Sequence, residues 1–78
     1  MTKLTQVFSK VLGIPPERVV DSLSPETEPA WDSLNAIILV TELEDAFGIQ
    51  FGYDEAMKVK NVADAKTLIA SKGKDPDA

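Results

Sequence analysis

Cysteine and histidine are both absent from this 78-residue chain, and arginine occurs once, at Arg18. Without a thiol there is neither a disulfide nor a thiolate nucleophile; without imidazole, the usual structural zinc sites and histidine-dependent catalysis are excluded too. Long apolar runs are also missing. No stretch reaches the length of a membrane span, and the opening MTKLTQVFSKVLG carries polar residues at helical spacing where a signal peptide has an apolar centre. A cytoplasmic protein is expected, with no membrane insertion. Acids are plentiful, yet no segment has the alternating oxygen ligands, central glycine and terminal glutamate of a calcium-binding EF-hand loop. No resident metal is expected.

What is present is ordinary globular composition, 44% hydrophobic and 27% charged. A chain of this length makes one domain, hides about 60% of its unfolded surface and has no room for a large active-site cleft. The net charge of −5 conceals a segregation. Between Glu17 and Glu55 ten acids face Arg18 alone, leaving −9 in the middle of the chain and +2 on either side. Such a field argues against nucleic acid as a partner and for enzymes or domains with basic patches.

The periodicity is helical throughout, with no convincing strand pair, no internal repeat and no interdomain linker. Leu4, Val7, Phe8, Val11 and Leu12 recur at three- and four-residue spacing, with Thr2 able to cap and Gly13 before IPP to stop a first helix over 2–12. Residues 14–32 hold four prolines and read as a long loop. Val19, Val20, Leu23 and Trp31 are its candidates for packing inward. A second helix is expected over 33–47 and a short third over 53–58. Asn61 then caps a fourth over 61–72, with Val62, Ala65, Leu68 and Ile69 inward, before a fraying tail at 74–78. The expected architecture is a small all-α four-helix bundle, three longer helices and one short, with the long loop between helices one and two.

The second helix carries the functional argument. At 100° per residue, Ala36, Leu39, Val40, Leu43, Ala46 and Phe47 share one arc, the core face. Asn35, Thr41, Glu42 and Asp45 lie opposite, as an amphipathic helix requires. Leu34 and Ile38 lie among them, four residues apart and adjacent on the surface. That pair is either covered by the long loop or forms a docking patch rimmed by acids. Ser33 stands where the helix begins. With Asp32 as the cap, its hydroxyl lies near the free backbone N–H groups of the first turn, where the helix dipole favours an anion. A serine there serves more often as a cap or first-turn residue than as a modified site.

The run DSLNAIILVTELEDAFGIQF resembles the prosthetic-group segment of the acyl carrier protein family, in which Asp-Ser-Leu opens the second of four helices. Asp32, Ser33 and Leu34 match the core motif, and Leu43, Glu44 and Phe47 the helix end. Asp54, Glu55, Ala56, Val62 and Ile69 match the last third, and VFSKVLGIPPERV is similar to the first helix and the entry to its loop. The resemblance implies a carrier that is not an enzyme, its Ser33 esterified by 4'-phosphopantetheine from coenzyme A. A magnesium-using phosphopantetheinyl transferase would make that ester, and the arm's distal thiol would bear the cargo, supplying the sulfur the chain lacks. Leu34 and Ile38 then become partner contacts, with Thr41, Glu42 and Asp45 extending the strip toward acyl- or aminoacyl-transferring enzymes with basic patches. A monomer is expected. Ile38 stands where fatty-acid-synthesis carriers usually have an acid, and Gly52 where proline is common. Trp31 before the motif is similar to discrete aminoacyl carriers, including D-alanyl carriers, so fatty-acid, lipid, secondary-metabolite and aminoacyl roles stay open. So does a helical adaptor that never carries cargo.

Overall fold

Four α-helices and a single 3-10 turn make up the regular structure of the computed structural model, which describes residues 2–78; no strand occurs among the described residues. Helix α1 (Lys3–Leu12) starts because Thr2 Oγ1 accepts the Thr5 N–H at 3.1 Å. It stops at Gly13, whose φ of +66° places it in the left-handed region that glycine enters without a Cβ penalty. Leu4, Val7, Phe8 and Leu12 are its buried stripe.

The long connection is organised by its own packing. Pro16 opens the 3-10 turn Pro16–Arg18, and Ile14, Leu23 and Trp31 join the core. Trp31 meets Phe8 edge-on, ring centroids 5.2 Å apart, a contact worth roughly 0.5–1.5 kcal/mol beyond burial. Of the two adjacent valines expected to pack, Val19 leans on the core, whereas Val20 is half exposed. Val19 ends the 3-10 turn, and the two side chains diverge from there.

Helix α2 (Ser33–Phe47) buries Leu39, Leu43 and Phe47 against α1 and ends at Gly48, φ +67°. Ala36 and Ala46 sit at the edge of the cluster. Helix α3 (Tyr53–Met57) buries no residue of its own; Phe51 and Val59, on either side of it, lean on the core instead. Helix α4 (Val62–Ser71) is capped by Asn61 Oδ1, which accepts the Asp64 N–H at 2.7 Å. Val62, Ala65 and Ile69 are buried and Leu68 is half-buried. Lys58, Asn61 and Lys72 cap helices rather than extend them.

The connection and α4 are stitched together. The Val62 and Ala63 N–H groups, which α4 cannot satisfy itself, donate to the carbonyls of Leu23 and Asp21 at 3.1 Å each. Lys66 Nζ adds an ion pair to Asp21 at 2.7 Å. The tail read as fraying is tied at both ends: the Lys74 N–H donates to the Ile69 carbonyl at 3.3 Å, and the Ala78 carbonyl accepts the Lys3 N–H at 2.9 Å.

Candidate functional site

Ser33 is the first residue of α2 and is exposed. Asp32 precedes it in extended conformation, and its Oδ1 accepts the Asn35 N–H at 2.8 Å. Among the described residues none hydrogen-bonds the Ser33 hydroxyl. That hydroxyl sits beside the opening N–H groups of a four-turn helix, where positive potential concentrates and no basic side chain is needed to attract an anion. Two residues upstream, Trp31 is 4% exposed, so the turn bearing Ser33 is anchored in the core.

The sides of α2 differ in character. Toward α3 lies a groove of about 460 Å³, lined by Ala36, Ile37, Val40, Phe51, Ala56 and Met57, with Ser33 among its walls. Facing outward, Leu34 is 66% exposed and Ile38 38%, so the long connection does not cover them. Thr41 and Asp45 are exposed on the same helix. Glu42 turns toward α1, where Lys10 Nζ lies 3.6 Å from its carboxylate. The structure therefore brings Leu34, Ile38, Thr41 and Asp45 into one strip running away from Ser33 and sets Glu42 at its α1 edge.

Three exposed apolar residues beside this strip escape the sequence reading: Ile37 at 65%, Tyr53 and Met57. Ile37 had a signal, since it lies only 60° around the helix from Leu34 and outside the core arc. Tyr53 and Met57 had only their four-residue spacing, too short a pattern to assign a face. Beneath the groove, Ala36, Val40, Phe51 and Ala56 also border an inner cavity of about 30 Å³, room for roughly one water.

Two carboxylates hold the α3 segment in place. Glu44 Oε2 accepts the Phe51 N–H at 2.8 Å, and Glu55 Oε1 accepts both the Gly52 N–H and Lys72 Nζ, each at 2.8 Å. The Lys72 ammonium first, and the Gly52 N–H second, hold the Glu55 carboxyl below the ordinary glutamate range against a smaller opposing effect of desolvation.

Comparison with known proteins decides the family. The model of the phosphopantetheine attachment site matches residues 2–69. An acyl carrier protein of Thermosynechococcus vestitus is 32% identical over 72 residues, covering 92% of this chain and 89% of the relative. This chain belongs to the acyl carrier protein family. Acyl carrier proteins are carriers and not catalysts, and 4'-phosphopantetheine is the prosthetic group of the family. The residues present fit such a group: an exposed serine whose hydroxyl is unengaged among the described residues, at a helix N-terminus, suits a phosphodiester, and a chain without cysteine needs a thiol from outside. No described helix is long and apolar enough to cross a membrane.

Proposed function

We propose that this protein carries acyl intermediates as thioesters on a phosphopantetheine arm attached to Ser33. It presents them to partner enzymes of fatty-acid, lipid or secondary-metabolite biosynthesis, as a cytoplasmic monomer. The observation that carries the reading is Ser33, an exposed residue at the start of α2 whose hydroxyl has no hydrogen-bond partner among the described residues, in a chain matched by the family model along residues 2–69. Asp32 and Leu34 flank it: the first fixes the helix start, and the second offers apolar surface to whatever approaches the serine. When bound, the arm supplies a thiol that forms and exchanges thioesters; the protein's own residues supply position and recognition.

Partner enzymes, the phosphopantetheinyl transferase first among them, dock on Leu34, Ile38, Thr41, Glu42 and Asp45, with Ile37 added from the groove side. Acids steer a basic partner from a distance and the aliphatic residues provide contact at close range, a combination that favours fast encounter and ready release.

Incubation with coenzyme A, magnesium and a broad-specificity phosphopantetheinyl transferase, followed by intact mass, tests the site. The wild-type chain should gain one phosphopantetheinyl group and Ser33→Ala none. A wild-type chain that stays unmodified while a known carrier is modified leaves the adaptor reading in possession; a modified Ser33→Ala moves the site elsewhere.

A further inference from the structure

The turn that presents Ser33 is tied to a buried carboxylate five residues upstream. Glu28 is 5% exposed, unlike the other acids of the chain. Both its oxygens are engaged: Oε1 accepts from Arg18 Nη2 at 2.7 Å and Oε2 from the Ala30 N–H at 3.0 Å. The carbonyl of the same residue, Ala30, accepts from Asn35 Nδ2 at 2.7 Å, and the Asn35 N–H donates to Asp32 Oδ1. Ala30 is thus held through both its polar groups, and Ser33 lies inside the loop that Asn35 closes between residues 30 and 35. Merely covering the core calls for no carboxylate there, since apolar residues of similar volume stabilise as well as a buried ion pair or better. Glu28 and Asn35 instead fix one backbone path into α2.

We propose that Asn35 and Glu28 are positioning residues that hold the Ser33 hydroxyl in the orientation required for its modification, a proposal that rests on Ser33 being the attachment site. In that reaction Ser33 Oγ attacks the phosphorus of coenzyme A that bears the pantetheine. An O–P bond forms as the bond to the leaving 3',5'-ADP breaks, and the serine proton passes to a base of the transferase. The chain's part in this step is to place one oxygen, and small displacements of a reacting atom lower such rates steeply. Only the amide nitrogen of residue 35 can donate to the Ala30 carbonyl. An aspartate of the same shape, ionised at neutral pH, offers no donor.

Time courses of modification, followed by mass over a range of carrier concentrations, separate kcat from KM for Asn35→Asp, Asn35→Ala and Glu28→Gln. The Asn35 variants should lower kcat by about three- to tenfold, the worth of one hydrogen bond expressed as a rate. KM for the carrier and helical content should be unchanged. Amide hydrogen exchange should quicken at Ser33 and Leu34 and stay constant at Leu43. Should Glu28→Gln fail to fold, Asn35→Asp alone decides. Wild-type kcat and exchange in Asn35→Asp overturn the positioning role, as does a loss confined to KM, which would make Asn35 part of the transferase's contact surface. If the wild-type chain itself gains no mass, the attachment reading fails and this proposal with it. If wild type is modified at Ser33 and the variants match it, only the positioning role falls.

Discussion

Ile37 shows what a single side chain contributes at the proposed docking surface. It is 65% exposed although it belongs to an apolar run, AIILV, whose next two members turn inward by degrees: Ile38 is 38% exposed and Leu39 3%. A residue so exposed adds little to folding, because burial is what converts apolar area into stability. Ile37→Glu should therefore leave the melting temperature within the range of ordinary surface substitutions, about 0.5 kcal/mol either way. The same change should weaken the transferase and other partners by introducing a charge that contact would desolvate. Wild-type partner affinity in the variant would remove Ile37 from the surface. The residue scale is also where the sequence was least legible. Glu28 read as one acid among ten, and nothing local distinguished it, because its burial depends on Arg18 ten residues earlier reaching across the connection. Asn35 read as a polar residue on the wet face, whereas its amide turns back to Ala30.

Helices, by contrast, declared themselves, since their boundaries rest on short-range chemistry. Thr2 and Asn61 cap as their positions in the pattern predict, and Gly13 and Gly48 end their helices at positive φ. Asn61→Ala should cost about 1 kcal/mol, the usual worth of such a cap. For a domain of this size that is roughly a 4–8 °C fall in melting temperature. No fall would mean that the Leu23 and Asp21 carbonyls alone define the start of α4. The short α3 depends on partners rather than on its own turns, since five residues are far below the length at which a helix is stable by itself. Glu55, its link to Lys72, has a folded-state pKa below the ordinary value. Its contribution is therefore complete above the ordinary glutamate pKa of 4.5 and is lost as pH falls through the lower folded value. Glu55→Gln should melt below wild type at neutral pH, with the gap closing on acidification in that window. A gap that holds constant or widens toward acid would refute the assignment.

At the scale of the whole molecule, charge is the property most readable from sequence and only partly resolved by folding. Lys10, Arg18, Lys66 and Lys72 each pair with an acid of the central segment, to Glu42, Glu28, Asp21 and Glu55. The three more exposed pairs, those of Lys10, Lys66 and Lys72, are worth about 0–1 kcal/mol each and weaken in salt. The net charge of −5 and the −9 of residues 17–55 are relieved by the same screening. Because the ten central acids outnumber their four cationic partners, relief should win, and the melting temperature should rise as sodium chloride is added from low ionic strength. A flat or falling curve would show that the four pairs outweigh the repulsion. The bundle itself was legible from apolar periods and prolines. The stitching of residues 21 and 23 to α4 was not, because backbone hydrogen bonds between a loop and a distant helix leave no mark on either sequence.

That stitching gives the molecule a grain. If the chain is drawn out mechanically from beyond Ser71, as an unfolding machine would draw it, α4 must peel away first. Its departure strips the Leu23 and Asp21 carbonyls of their donors and removes Val62, Ala65 and Ile69 from the core. The stretch around Asp21 and Leu23 would then slacken while α1 and α2 still clasp each other and Trp31 still leans on Phe8, so a pulled carrier would loosen its connection before it mislaid its attachment point.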